Sequence, residues 1–247
     1  MFTERLEQVM TILTIISNSE EPLGSGAIKE ELSRRGHNLS EATVGRILRD
    51  LDTRGLTERI GYRGRTLTTA GRAHLEQLLI ERKRALSSNE LLKALKATGK
   101  EKLLDVLVAR RAIERENARL AALHATREEL EEMERIIIRQ KKLLELGQST
   151  AATDVQFHKL LAAAAKNRVL EAATDLIRQD GQLTPIMEYI RQNVGSTMVA
   201  DHLQIFHCVA AGDAGAAEAA MVAHIDNLIS DVQKYWEANK GLIPRGG

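Results

Sequence analysis

The stretch Ser40–Gly71, "SEATVGRILRDLDTRGLTERIGYRGRTLTTAG", changes its period half-way along. Up to Gly55 the apolar residues Val44, Ile47, Leu48 and Leu51 recur at three- and four-residue spacing. That spacing predicts an amphipathic helix, with Ser40 as N-cap and Gly55 as its stop. From Leu56 apolar and polar residues alternate around "GYRG", which predicts a two-stranded hairpin with a glycine-bounded turn. Upstream, "TERLEQVMTILTIIS" carries Leu6, Val9, Met10, Leu13 and Ile16 at helical spacing, and "EEPLGS" breaks it. "GAIKEELSRRG" then reads as a short helix capped by Ser25 and stopped by Gly36, and "AGRAHLEQLLIERKRAL" as a helix after the hairpin. Helix, helix, turn, helix, hairpin is the winged helix-turn-helix order.

In such a unit the second helix of the pair enters the DNA major groove with its N-terminal part toward the base edges. The candidate contacts on that helix are Ser40, Thr43, Arg46 and Arg49, and those on the wing are Tyr62, Arg63 and Arg65. Arginine forks onto guanine, and hydroxyls take phosphate or base contacts. Local charge agrees: residues 34–72 hold nine arginines against four acids, whereas the whole chain is only +1. A winged helix used for protein contacts, with its arginines solvated, is the alternative.

The bulk composition of the 247-residue chain limits the rest. Aromatics are 3%, so the core is built from Ala, Leu, Ile and Val, and three prolines favour a mainly α protein. The single cysteine, Cys208, excludes an internal disulfide and a cysteine-based zinc finger. "MFTERLEQVM" lacks the apolar run of a signal peptide, and no window reaches a membrane span. The expectation is a cytoplasmic protein with no membrane partner. The tail "GLIPRGG" reads as polar and frayed.

"LSSNE", residues 86–90, is the candidate hinge, dividing a DNA-binding domain over 1–85 from an all-helical bundle over 86–240. The bundle reads as helices near 89–98, 100–124, 126–146, 151–165, 167–193, 196–211 and 213–239. Thr126 with Glu129 forms a capping box, and Asp213 caps the last helix. In "TDVQFHKLL", Asp154 and His158 stand four apart and leave the same helix face. His202 and His224 lie on successive helices joined by "AGDA", ten residues before and twelve after the turn, and so at about the same height. One carboxylate and three imidazoles suit Zn²⁺, Ni²⁺ or Mn²⁺. Buried histidines that are merely hydrogen-bonded are the other reading of the same residues.

Two resemblances sharpen these expectations. "EEPLGSGAIKEELSRRGHNLSEATVGRILRDLDTRGL" with "GRTLTTAGR" resembles the ribonuclease R-type winged-helix domain found on some prokaryotic regulators. "ARRAIERENARLAA", "DVQFHKLLAAAAKNRVL" and "DHLQIFHCVAAGDAGAAEAAMVAHI" resemble the FCD effector-binding domain of the FadR subfamily of GntR-type regulators. The second implies a divalent metal on Asp154, His158, His202 and His224. It also implies a small organic acid effector beside the metal, with Arg110 in "ARRAIE" as its pocket arginine; an Arg110 paired only with Glu114 is the alternative. The Pro-Gly and Ser-Glu-Arg signature of the usual GntR winged helix is absent. Together they imply a ligand-responsive regulator on operator DNA rather than an enzyme, and a single winged helix that reads only a short half-site predicts a homodimer. A metal-sensing regulator and a metal-dependent helical-bundle enzyme are the rivals.

Overall fold

The computed structural model describes residues 2–96, 99–178, 183–196 and 198–239. The chain forms two compact units that divide between Leu92 and Lys93. The tail "GLIPRGG" lies outside the described residues.

The first unit runs α1 (Glu4–Ser17), α2 (Ser25–Arg34), α3 (Glu41–Thr53), β1 (Thr57–Ile60) and β2 (Gly64–Leu67), then enters α4 (Thr69–Leu95). Ile12, Leu13, Ile28, Leu32, Val44, Leu48 and Leu51 are fully buried, and they are the apolar faces of α1, α2 and α3. Burying each such side chain is worth about 1.5–3 kcal/mol, set against the cost of ordering the chain. Ser40 caps α3 by accepting from Thr43 N, and Gly36 (φ +84°) and Gly55 (φ +69°) turn the chain out of α2 and α3. Strands β1 and β2 pair antiparallel, Thr57 opposite Leu67 and Ile60 opposite Gly64. Leu23 adds a one-residue bridge to Arg65, with both backbone hydrogen bonds at 3.0 Å. Gly64 is required there. A Cβ would stand 2.3 Å from the Leu23 carbonyl carbon, and φ is +132°.

Two local expectations are corrected. Gly24, not Ser25, is the N-cap of α2; Ser25 is the first helical residue, and its hydroxyl donates to Glu41 Oε1 at 2.9 Å. Residues 86–90 form no break, because α4 continues through them to Leu95. Serine and asparagine cost a helix only about 0.5 kcal/mol each, less than continuation of the helix returns.

The second unit contains α5 (Lys100–His124), α6 (Arg127–Glu145), α7 (Ala151–Ala164), α8 (Arg168–Arg178), α9 (Leu183–Asn193), α10 (Val199–Ala210) and α11 (Ala214–Ala238). The span read as one helix over 167–193 is described as α8 and α9, with residues 179–182 outside the described set. The Thr126–Glu129 capping box and the Asp213 cap are both present. Helix α5 packs along α11 and also against α7, α8 and α10. Leu103, Leu107, Phe157, Ile205, Met221, Ile225 and Val232 are buried between them. That packing makes α5, α7, α10 and α11 the walls of the site described next. No helix among the described residues is long and apolar enough to cross a membrane.

Candidate metal centre and nucleic-acid interface

Helix α7 presents Asp154 and His158 inward from one face, α10 presents His202, and α11 presents His224. All four are buried, and one ligand atom from each lies within 4.8 Å of all the others. His158 Nε2 and His202 Nε2 are 3.2 Å apart, and Asp154 Oδ1 is 3.5 Å from each. Four atoms around one ion at 2.0–2.2 Å stand roughly 3.3–3.5 Å from one another, so these separations fit a shared cation.

The outer nitrogens of the same rings point elsewhere. His202 Nδ1 lies 2.9 Å from Gln140 Oε1 on α6, and His224 Nδ1 lies 3.1 Å from Asp201 Oδ2 on α10. His158 Nδ1 is 2.7 Å from Glu114 Oε2 on α5, close but not aligned as a hydrogen bond. An acceptor at Nδ1 puts the ring proton there and leaves the Nε2 lone pair facing the cluster. His224 Nε2 is buried with no hydrogen-bond partner. A buried nitrogen left unsatisfied costs about 1–3 kcal/mol, and a cation at the centre of the cluster would satisfy it. The donor set therefore fits a borderline divalent metal.

Electrostatics keep His202, His224 and Asp154 in their binding forms. Burial pushes the His202 and His224 imidazoles toward the neutral form, helped by the neighbouring histidines, and His224 falls to about 4. Burial alone would raise the Asp154 carboxyl, but the Arg178 guanidinium and His158 outweigh it and hold it well below the usual carboxylate range. Arg178 on α8 is the organiser on this side. Its Nη1 donates to Asp154 Oδ2 at 2.9 Å and its Nη2 to Glu114 Oε2 at 3.0 Å. Asp154 thus spends one oxygen on Arg178 and turns the other to the histidines.

Arg110 is buried, and its Nε donates to Glu114 Oε1 at 2.8 Å. Its Nη2 has no partner. Arg110, Asp154, His224, Thr184, Met187, Met198 and Leu228 line a cavity of about 10 Å³, room for one water. His207 lies on the exposed side of α10, away from the cluster.

In the first unit, Arg46 and Arg49 are exposed on α3 and Thr43 is half-buried. Arg46 Nη2 reaches Thr43 Oγ1 at 3.4 Å, and Ser40 is engaged in capping. Tyr62 and Arg63 stand exposed at the wing tip, and Arg59 beside them, which the sequence did not single out, is also exposed. Arg65 is turned to the protein: its Nε meets Asp52 Oδ1 and Oδ2 at 3.0 and 2.8 Å, tying the wing to α3. An open cleft of about 430 Å³ between α1 and α3 is lined by Arg5 and Arg46 but equally by Glu4 and Asp50, so it offers no net charge to an anion.

The FCD domain model matches residues 105–227, and the ribonuclease R winged-helix model matches residues 10–75. The chain is an FCD-domain protein with a ribonuclease R-type winged helix. The four converging donors all fall inside the FCD match. The "HTH-type transcriptional regulator LutR" of Bacillus subtilis is 30% identical over 100 residues, covering 38% of this chain and 44% of LutR. The "Global nitrogen regulator NrpRI" of Methanosarcina mazei is 41% identical over 73 residues, covering 30% of this chain and 23% of that protein. The chain spans less than half the length of these curated relatives. Among solved structures, E. coli McbR/YncC aligns over 94% of this FCD-domain chain and 95% of its own, with TM-score 0.49 and 14% identity. Streptococcus agalactiae GntR aligns over 91% and 99%, with TM-score 0.46 and 19% identity.

The residues that sequence reasoning missed are those around the ligands: Gln140, Arg178, Arg191 and Asp201. Only the "DH" pair at 201–202 carried a signal, an acid directly beside a candidate metal-binding histidine.

Proposed function

We propose that this protein is a ligand-responsive transcription regulator. Its winged helix binds operator DNA through Thr43, Arg46, Arg49, Tyr62 and Arg63. Its FCD domain holds one divalent metal (Zn²⁺, Ni²⁺ or Mn²⁺) on Asp154, His158, His202 and His224. The observation that carries the reading is the inward convergence of these four donors, with His224 Nε2 buried and unsatisfied. The metal would supply an electrophilic anchor for a ligand oxygen. The chain's own Arg110, with its Nη2 unpartnered beside the cluster, would bind a carboxylate of a small organic acid effector. A homodimer would present two winged helices to a two-fold operator.

The size of the adjoining cavity favours a second reading. About 10 Å³ admits a water and not an organic acid, so the metal itself could be the signal. One experiment separates the two. Operator affinity is measured with chelated protein, with zinc-loaded protein, and with zinc-loaded protein plus a panel of short mono- and dicarboxylates. An effector regulator responds only to the third condition, and a metal sensor already to the second. A protein whose DNA affinity changes in neither is not regulated through this site.

A further inference from the structure

Arg191 on α9 is 2% exposed, and its hydrogen bond and ion pairs run to Asp201 and Asp231 rather than to the four converging donors. Its Nη2 donates to Asp201 Oδ2 at 3.3 Å, and its Nε is 3.3 Å from Asp231 Oδ2, too misaligned for a hydrogen bond. Asp201 Oδ2 is also the atom that faces His224 Nδ1 at 3.1 Å. Asn227, one turn along α11 from His224, reaches the same carboxylate at 3.3 and 3.4 Å. One carboxylate oxygen is thus shared between a buried guanidinium and the back of a ligand ring.

The aspartate terminal torsion is soft, with broad wells rather than a single staggered minimum. Asp201 is only half-buried, so with His224 as its sole donor its carboxylate could swing toward water. His224 would then lose the acceptor that fixes its tautomer and ring orientation. Arg191 and Asn227 remove that freedom from two sides. Arg191 does so by a charge-assisted contact inside the protein, where such contacts are strongest. Asp201 directly precedes His202 on α10, so one turn of helix supplies both a ligand and the support of another ligand.

We infer that Arg191 is a positioning residue for the metal: acting through Asp201, it holds His224 with Nε2 turned into the cluster. This inference rests on the metal reading above. It also makes α9 a stakeholder in metal occupancy, although α9 supplies no ligand.

The test uses the full chain, zinc in competition with a chromophoric chelator, and cobalt(II) absorption as a report of coordination geometry. R191M and D201A are each expected to weaken zinc by about tenfold or more and to alter the cobalt spectrum, with helical content retained. Because Arg191 acts through Asp201, the double variant should bind zinc no more weakly than D201A alone. R191K, which keeps the charge and a donor, should fall between wild type and R191M. Wild-type zinc affinity in R191M, or a double-variant loss equal to the product of the single losses, overturns the inference. Should R191M fail to fold, the same cycle with R191K and D201N decides, and multiplying losses again overturn it. A wild-type protein that binds no zinc removes the metal reading and this inference together. Retained affinity in R191M removes the inference alone.

Discussion

His158 Nε2 on α7 and His202 Nε2 on α10 face each other at 3.2 Å in the interior of the second unit, although 44 residues separate them in the chain. Without a cation, one of these nitrogens must carry a proton to satisfy the other; on His202 that proton competes with the Gln140 acceptor at Nδ1, and on His158 it turns the Nδ1 lone pair toward the Glu114 carboxylate. A shared metal removes the conflict. Wild-type protein is expected to take up one equivalent of zinc and to gain about 4 kcal/mol of stability at a thousandfold excess over the dissociation constant. H158A and H202A should each abolish that gain. The check is metal content by mass spectrometry together with thermal unfolding. A variant that lacks either imidazole yet still shows the full zinc-induced shift would rule out the site.

The buried imidazoles set a pH dependence in the metal-free protein. His202 and His224 are both pushed below their ordinary value by burial, His224 to about 4. A histidine with a lowered folded-state value is neutral in both states above the unfolded value of about 6.5 and adds no pH dependence there. As pH falls below that, the unfolded chain takes up protons that the folded chain refuses, so stability drops until the folded value is reached. From 6.5 to about 4, His224 alone accounts for about 3 kcal/mol. Asp154, held low against burial by Arg178 and His158, and Glu114, held low by Arg110 and Arg178, extend the loss as the pH falls further. Trp236, the single tryptophan, packs against the second unit's core and reports its unfolding. In the presence of a chelator its urea midpoint should be flat above about pH 7 and decline steadily toward about pH 4. A midpoint that rises on acidification contradicts neutral buried histidines.

The wing arginines should separate into two kinds. Arg63 is exposed, so R63A is expected to weaken binding to all DNA sequences and reduce the salt slope by roughly one, with thermal stability unchanged. Arg65 is held by Asp52, so R65A and D52N should each cost the first unit on the order of 1 kcal/mol, and the double variant no more than the larger single loss. DNA titrations at several salt concentrations and thermal unfolding measure both. A slope change in R65A with no loss of stability would return Arg65 to the DNA contacts.

What was legible in the sequence followed from local spacing. The four-residue step from Asp154 to His158 and the symmetric placement of His202 and His224 about one short turn are one-dimensional facts that survive folding. The change of period at Leu56 located the wing for the same reason. The supports were illegible because they join residues far apart in the chain. Arg178 is 64 residues from Glu114, and His202 is 62 from Gln140. A buried guanidinium looks in sequence like any solvated arginine on a helix, and nothing distinguishes Arg178 or Arg191 from Arg168 until the helices pack. The 86–90 stretch misled for the opposite reason. Its serines and asparagine are weak helix formers, but a long helix absorbs several of them.

Effector control, if it operates through this site, must appear in both directions. Arg110 Nη2 is unpartnered, yet the cavity it lines admits only about one water, so an organic acid can enter only by parting the walls supplied by α5, α7, α9 and α11. Such a ligand would therefore have to select an opened conformation of the FCD domain, and it would shift DNA binding only by its difference in affinity for the two conformations. A coupling of about 1–3 kcal/mol changes operator affinity by roughly 5–150-fold, and linkage requires operator DNA to change effector affinity by the same factor. Replacing Arg110 with methionine should weaken the carboxylate far more than zinc, because Arg110 donates to Glu114, which Arg178 also holds behind His158. Calorimetric titration of the best carboxylate from the panel into zinc-loaded protein, with and without operator, measures the coupling directly. Equal affinities in the two titrations would show that the C-terminal site binds its ligand without governing the DNA.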